Sequence, residues 1–306
     1  MQFFRFFKKP TLVLMLLLIV LPSSAVFGAG GNFQPENTFV DHVYNTNDEV
    51  VNAYDMVMDT VNHRLFVSDN AHHRVLIFNL DVNNVLIDRI ADNILGQADF
   101  DETTSFTSNR KFSSPTHLAL DQTGLRLFVS DTGNNRVMVF DVSAITDYEI
   151  AVNVLGQPDL NTAASGGNSA SMNAPYQLSF DDNSDRLFVA DSGNHRISVF
   201  DVSAITDGEL YVNHLGTPGT SGTSSTTLKF PRGVYFENKA SPRLFVADTK
   251  NHRILSYDLT VLTDGEASAN VLCQVDANSA LTATTQSGCN QPNAVWGDST
   301  AGAYLY

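Results

Sequence analysis

Short apolar runs separated by polar turns recur along most of the chain at a regular spacing. The run Arg-Leu-Phe-Val-Ser/Ala-Asp occurs at 64–69, 126–131, 186–191 and 243–248, so successive copies start 62, 60 and 57 residues apart. Self-similarity at a fixed period is typical of repeat architectures, in which every copy forms the same supersecondary unit. We therefore expect four copies of one group of β-strands.

Each copy predicts four short strands in the same order, the second being the Leu-Phe-Val run. First strands, opened by proline in three copies, are predicted at Ala53–Asp59, Pro115–Asp121, Pro175–Asp181 and Pro231–Glu237. Third strands are predicted at Val75–Phe78, Val137–Phe140, Ile197–Phe200 and Ile254–Tyr257. Fourth strands are predicted at Asn93–Leu95, Asn153–Leu155, Asn213–Leu215 and Asn270–Leu272. The loops before the last two contain the hairpin-type dipeptides Asp207-Gly208 and Asp264-Gly265.

The consecutive apolar residues of the second strand indicate a sheet that is covered on both faces. A four-stranded antiparallel sheet packed between two neighbours is a β-propeller blade. The competing repeat geometry, a solenoid, usually has parallel strands and shorter repeats. The sequence therefore predicts an all-β fold, a β-propeller with full blades at about 50–97, 115–157, 175–217 and 231–274.

The turn between the second and third strands carries a family resemblance. It runs from an aspartate to an arginine five residues later in each copy, at Asp69–Arg74, Asp131–Arg136, Asp191–Arg196 and Asp248–Arg253. The two residues before the arginine are Asn-His or Asn-Asn in three copies and His-His in the first. This turn resembles the NHL repeat, named for Asn-His-Leu, although arginine stands here where the name has leucine. The resemblance extends over residues ~50–306 and implies the propeller fold, but it implies little about function, because one fold hosts many activities.

A partial fifth copy follows. Pro292 opens it, and Tyr304–Tyr306 is expected in register with Arg243–Phe245, so the partial blade is placed at 292–306. Propellers of the family that the chain resembles usually have six blades, so we expect a fragment that lacks the C-terminal part of the complete protein. The alternative is that the segment Phe33–Tyr44 supplies a closing strand.

The N-terminal residues have the three-part pattern of a secretory signal peptide. Arg5, Lys8 and Lys9 precede an apolar stretch at 11–21, and small residues follow from Ser23. We predict a signal peptide at 1–28, cleaved after Ala25 or Gly28, and a lead-in at 29–49; an uncleaved anchor is the alternative. The expected location is secreted, periplasmic or cell-surface.

Composition excludes some function classes. The net charge is −15, from 33 acidic and 18 basic residues, and so acidic a chain is unsuited to nucleic acid. Two cysteines are too few for a disulfide framework. However, Cys273 and Cys289 flank one loop in a chain with an export signal, which favours a loop-closing disulfide over two free thiols.

The repeated aspartate and arginine residues are interpreted as structural turn pairs rather than an active site. Every copy has such a pair, and an aspartate in a turn accepts backbone N–H groups and a charged bond from arginine. The run Asp181–Asp185 resembles the start of a calcium loop, but it lacks the glycine and glutamate of that loop and favours a hairpin tip. No catalytic or phosphate-binding motif was found in the sequence.

The variable positions of the first strand are better candidates for a binding site. Residues just after the proline position should lie at the rim of the central channel and differ between copies, as a site built once per ring requires. The candidate binding residues are Tyr54, Asp55, Thr116, His117, Tyr176, Gln177, Arg232 and Asn293. The alternative is that these residues form a solvated rim.

These observations favour a secreted, non-catalytic binding or scaffold propeller that recognises a protein, peptide or carbohydrate at the channel rim. No cofactor is expected, although a channel calcium or zinc ion is left open. Relatives by resemblance imply one alternative, an extracellular metal-dependent lyase or lactone hydrolase, for which Asp55 and His117 are the strongest ligands at the rim. The other alternative is the sensor ectodomain of a membrane protein. Membrane attachment is expected only through an uncleaved signal or an anchor in the missing C-terminal part.

Overall fold

The computed structural model describes residues 50–274, 278, 289–298 and 302–304. The signal peptide predicted at 1–28, the lead-in at 29–49 and the alternative closing segment Phe33–Tyr44 lie outside the described residues. In the part of the chain that is described, no helix is long and apolar enough to cross a membrane.

Four sheets of four antiparallel strands make up most of the structure. The first sheet contains β1 (Ala53–Asp59), β2 (Arg64–Asp69), β3 (Arg74–Asn79) and β4 (Asn93–Leu95). The second contains β5 (Pro115–Asp121), β6 (Arg126–Asp131), β7 (Arg136–Asp141) and β8 (Asn153–Leu155). The third contains β9 (Pro175–Asp181), β10 (Arg186–Asp191), β11 (Arg196–Asp201) and β12 (Asn213–Leu215). The fourth contains β13 (Gly233–Glu237), β14 (Arg243–Asp248), β15 (Arg253–Asp258) and β16 (Asn270–Leu272), and the pair β17 (Trp296–Asp298) and β18 (Gly302–Tyr304) follows.

The sheets pack side by side as blades. The first strand of each sheet contacts the first strand of the next, from β1 through β5, β9 and β13 to β17. In β2, Phe66 packs towards the second blade with Leu118 and Val129, whereas Leu65 and Val67 face the opposite side. Apolar residues in succession are therefore buried on both faces, and the prediction of an all-β propeller fold with four-stranded antiparallel blades is confirmed.

The turn after each second strand is held by a buried ion pair. Oδ2 of Asp131 accepts from Nε of Arg136 at 2.7 Å and from the amide of Asn134 at 2.8 Å, and both charged side chains are fully buried. The outer nitrogen Nη2 of Arg136 donates to the carbonyls of Ser108 and Lys111, in the connection between blades. The corresponding aspartate–arginine distances are 3.1 Å for Asp69–Arg74, 2.8 Å for Asp191–Arg196 and 2.7 Å for Asp248–Arg253.

The residue before each of these arginines connects one blade to the next. It has a left-handed backbone, with φ between 55° and 58°, which asparagine and histidine adopt more readily than most residues. Nδ1 of His73 accepts the N–H of Ser114, one residue before the first strand of the second blade, at 2.9 Å. The same bond joins Asn135 to Ala174, His195 to Phe230 and His252 to Gln291. The asparagine and histidine of the repeat are thus contacts between blades as well as turn formers.

A second set of aspartates holds the outer edge of each blade. Oδ1 of Asp207 accepts the N–H of Val154, in the outermost strand of the preceding blade, at 2.9 Å. Asp147 does the same for Ile94 and Asp264 for His214, both at 3.0 Å. The aspartates of the Asp-Gly dipeptides therefore do more than form a turn, because their carboxylates accept backbone N–H groups from the edge strand of the neighbouring blade.

The two described strands of the fifth copy pair in a different register from the one expected. Trp296 pairs with Tyr304 and Asp298 with Gly302, whereas in the fourth blade Tyr235 pairs with Phe245 and Glu237 with Arg243. The expected match of Tyr304–Tyr306 to Arg243–Phe245 is therefore wrong by two residues, and Gly302–Tyr304 takes that place. The reason is a shorter connection, with three residues between the paired strand ends instead of five.

The two cysteines form a disulfide in the structure and replace a contact made in the other blades. Cys273 takes the position of Gly96, Gly156 and Gly216, whose φ angles lie between 82° and 95°. A Cβ at Gly96 would lie 2.3 Å from the Phe112 ring, and one at Gly156 would lie 2.5 Å from Met172. Cys289 follows Cys273 by 16 residues, as Phe112 follows Gly96 and Met172 follows Gly156. The disulfide thus stands where a glycine packs against a buried apolar side chain.

Arg136→Met should lower the free energy of unfolding by about 3–5 kcal/mol, because it leaves the buried Asp131 carboxylate without its partner. Arg126→Met is the matched control, since the Arg126–Asp121 pair is 20% exposed on the arginine side and should contribute about 1 kcal/mol. Urea unfolding of both variants measures the difference. Equal losses would contradict a special role for the buried pair.

Cys273→Ala with Cys289→Ala should destabilise the chain by about 3 kcal/mol, because the unfolded loop is no longer closed. Cys273→Gly with Cys289→Met should be less destabilised, since it restores the glycine and apolar pair of the second blade and removes a side chain at φ 72°. Denaturant unfolding compares the two variants with the oxidised wild type. Equal stability of the two double variants would show that the replaced contact contributes nothing.

Candidate functional site

The first strands of three blades begin with a β-bulge, and six of the eight candidate residues lie at these bulges. Ala53 pairs with Asp69 but Asp55 pairs with Ser68, so that Tyr54 is the additional residue. In the second blade the shift falls between Pro115 and Leu118, and in the third it falls at the equivalent residues. A bulge turns the side chains of the extra residues away from the regular alternation of the strand. The bulges therefore set the direction of Tyr54, Thr116, His117, Tyr176 and Gln177.

Four of the candidate residues, one from each blade, lie together. We call Tyr54, His117, Tyr176 and Arg232 the channel-mouth cluster. The ring centroids of Tyr54 and His117 are 5.3 Å apart, those of Tyr54 and Tyr176 are 6.2 Å apart, and those of His117 and Tyr176 are 6.3 Å apart. The guanidinium of Arg232 lies over the ring of Tyr176, 4.7 Å from its centroid, at a cation–π distance. The structure thus brings three aromatic rings and one cation to a single place.

His117 is the most buried member of this cluster. It is only 4% exposed, and its Nδ1 has no hydrogen-bond partner among the described residues. Burial lowers the pKa of its imidazole to about 3, because the cation would lose its hydration. His117 is therefore neutral at physiological pH and offers one unpaired ring nitrogen.

The other members of the cluster are half-buried. Burial, followed by the neighbouring Tyr176, raises the pKa of the Tyr54 hydroxyl, so the phenol stays protonated. Nε of Arg232 is buried without a hydrogen-bond partner. No carboxylate of the described residues lies within 4.0 Å of the Arg232 guanidinium.

Asp55 and Gln177 bridge blades rather than face a ligand. The Asp55 carboxylate accepts the N–H of Met56 at 2.8 Å and the N–H of Leu118, in the next blade, at 2.9 Å. Burial outweighs these two bonds and raises the pKa of Asp55 to about 7. Oε1 of Gln177 accepts the N–H groups of Val234 and Val295, both at 3.2 Å, which joins the third, fourth and fifth copies.

The remaining candidates divide between buried and exposed positions. Oγ1 of Thr116 forms a hydrogen bond with Oγ1 of Thr132 at 2.6 Å, whereas Asn293 is exposed. The alternative of a solvated rim is wrong for Asp55, Thr116, His117 and Gln177, which are at most 4% exposed. Their polar groups are buried because each inner strand packs directly against the next.

Sequence reasoning missed two serines that support the site. Oγ of Ser68 donates to the carbonyl of Thr116 at 2.6 Å, and Oγ of Ser130 donates to the carbonyl of Tyr176. Both serines precede the repeated aspartate, where the last two copies have Ala190 and Ala247. This difference between the copies was the available sequence signal. Serine stands in the first and second blades, and each of these is followed by a blade whose first strand has a bulge.

The described residues contain no group of three or more histidine, cysteine, aspartate or glutamate side chains that could hold a metal ion. Of Asp55 and His117, the strongest ligands expected at the rim, Asp55 has its carboxylate occupied by the backbone N–H groups of Met56 and Leu118.

A family model supports the repeat, and one solved structure supports the fold. A family model described as NHL repeat matches residues 177–200. Among solved structures, an auxiliary nutrient binding protein from Bacteroides ovatus aligns with a TM-score of 0.53 at 12% identity, covering 82% of this chain and 55% of that one. The WD40 repeats of RRP9 align with a TM-score of 0.44 at 10% identity, covering 67% of this chain and 47% of that one. The chain spans about half the length of these two structures, and no curated protein matches it.

The stability of the wild type relative to Asp55→Asn should fall as pH rises from about 4 to about 7. The unfolded carboxyl ionises near 3.8 and the folded one near 7, so the stabilising contribution is complete below pH 3.8 and lost above pH 7. Urea unfolding at several pH values measures this difference. Asp141→Asn is the control. The stability of the wild type relative to this variant should stay level from about pH 4 to about pH 7, because hydrogen bonds from Ser143 lower the pKa of Asp141. A level difference for Asp55→Asn would contradict the raised pKa.

Proposed function

We propose that this β-propeller belongs to the NHL-repeat family and that it is a non-catalytic binding propeller whose ligand occupies the channel-mouth cluster. The observation that carries the proposal is the convergence of Tyr54, His117, Tyr176 and Arg232 from four blades. The fold repeats, whereas these side chains vary between the copies, apart from Tyr54 and Tyr176, which occupy equivalent positions.

The chemistry of the cluster suits binding better than catalysis. A general base works best with a pKa near the operating pH, and the pKa of His117 is about 3. The Tyr54 phenol is held protonated and is no nucleophile in that form. Half-buried tyrosines and an arginine are instead the residue types enriched at the centres of binding interfaces, where they provide large apolar contacts with polar tips.

The fold comparison supports a binding role in general terms. The Bacteroides ovatus structure is described as a nutrient binding protein, and this chain has a similar fold over 82% of its length. The alignment covers only 55% of that protein, so a binding activity of this chain is a proposal and is not transferred from the whole of that protein. We propose a protein, peptide or carbohydrate as the class of partner.

We also propose that the chain acts outside the cytoplasm. The basis is the N-terminal pattern of basic residues, an apolar stretch and small residues at 1–28. Such a location fits the disulfide between Cys273 and Cys289, since disulfides persist in oxidising compartments.

Tyr54→Ala with Tyr176→Ala should abolish ligand binding, because it removes two of the three rings. Thermal unfolding is followed with a panel of oligosaccharides, short peptides and small organic acids. A ligand at one hundred times its Kd should stabilise the wild type by about 2.7 kcal/mol and leave the double variant unchanged.

Tyr148→Ala is the matched control for this experiment, because Tyr148 also lies under an arginine, Arg110, but in an outer loop. The control should bind as the wild type does. Binding that survives in the double variant, or a panel without any stabilising ligand, would contradict the proposal.

A further inference from the structure

Arg232 is positioned by two blades before any ligand arrives. Its backbone N–H donates to the carbonyl of Ala247 in the fourth blade at 3.2 Å, and its carbonyl accepts from the N–H of Gln177 in the third blade at 3.1 Å. Its guanidinium rests on Tyr176. Main chain and side chain are therefore both held in place, which reduces the entropy lost when a ligand binds.

Arg232 differs from the arginines of the four turn pairs in having no counter-ion among the described residues. Arg74, Arg136, Arg196 and Arg253 each pair with an aspartate, as do Arg64 and Arg126 at the other end of the blades. Arg232 has no carboxylate within 4.0 Å in the described part of the chain, and its buried Nε has no hydrogen-bond acceptor. A half-buried guanidinium with an unsatisfied donor is a site for an anion, and its planar fork matches a carboxylate.

From these contacts we infer that the channel-mouth cluster binds a small organic carboxylate carried on a ring, with the carboxylate on Arg232. This inference rests on the proposed function: it concerns the same site and assigns the ligand a chemical class of its own. The rings of Tyr54 and Tyr176 provide apolar walls for the body of the ligand. The unpaired Nδ1 of His117 and the protonated phenol of Tyr54 provide neutral polar groups for its hydroxyls.

The inner strands argue against a peptide that adds as a strand. Such a peptide needs free backbone groups along an exposed strand edge. Here Asp55 accepts the N–H of Leu118, and Gln177 accepts the N–H of Val234. Recognition at this place therefore depends on side chains, which suits a compact ligand.

The net negative charge of the chain restricts anion binding to places with a local cation. With 33 acidic and 18 basic residues, the surface as a whole repels anions. A carboxylate that binds does so against this long-range repulsion, through a local guanidinium. Binding of acids to this protein would accordingly report on Arg232 rather than on a general basic surface.

The test compares each acid with its neutral counterpart on the same protein. Titration calorimetry measures D-galacturonate against D-galactose and benzoate against benzamide, so that the two arms separate a sugar acid from an aromatic acid. At least one acid should bind the wild type about tenfold or more tightly than its neutral counterpart, since a desolvated charge pair contributes at least that much. Arg232→Gln should remove this preference, whereas Arg110→Gln should keep it.

The outcomes separate this inference from the proposed function. Equal affinity for acid and neutral counterpart, or no binding of either acid, overturns the carboxylate inference. If a neutral compound or a peptide binds and is lost with Tyr54→Ala and Tyr176→Ala, the proposed function stands without it. Arg232→Lys keeps the charge but not the planar guanidinium, and it should retain part of the preference for the acid. If Arg232→Gln fails to fold, the comparison of acid with neutral counterpart on the wild type still decides.

Discussion

The buried aspartate–arginine pair after each second strand is the interaction on which the rest of the structure depends. Asp131 and Arg136 are fully buried, so every polar atom of the pair must find a partner inside the protein. The arginine finds its partners in the carbonyls of Ser108 and Lys111, and it thereby draws the connection from the preceding blade onto the hairpin. In the second blade, the desolvated guanidinium therefore holds the backbone of the connection that leads into that blade.

Much of the fold was predictable from the sequence because the repeat presents the same solution four times. The ends of β1 at Ala53 and Asp59 match the prediction, as do those of β5 at Pro115 and Asp121. Where the sequence departs from the repeat, prediction fails: the shorter connection before Gly302 shifts the register of the fifth copy by two residues. The link from His73 to Ser114 also escaped prediction, because a hydrogen bond between blades leaves no pattern within one copy.

The candidate site was only partly accessible from the sequence. Variation between copies identified Tyr54, His117, Tyr176 and Arg232, but it equally identified Asp55 and Gln177, which satisfy backbone groups between blades. What separates the two sets is the direction of each side chain, and in the first three blades that direction is set by bulges near the start of the inner strands. A bulge depends on the pairing of two strands, so it is a property of the folded sheet rather than of a residue pattern.

The bonds from the left-handed turn residues give the propeller a direction. His73 accepts the N–H of Ser114, Asn135 that of Ala174 and His195 that of Phe230, and the donor always leads into the blade that comes later in the chain. The aspartates of the outer loops act in the opposite sense, since Asp207 completes the edge of the blade before it. During synthesis of the chain, a blade therefore lacks some of its hydrogen bonds until the next blade has formed. Assembly advances as a chain of nearest-neighbour steps in which each arrival stabilises the unit already folded.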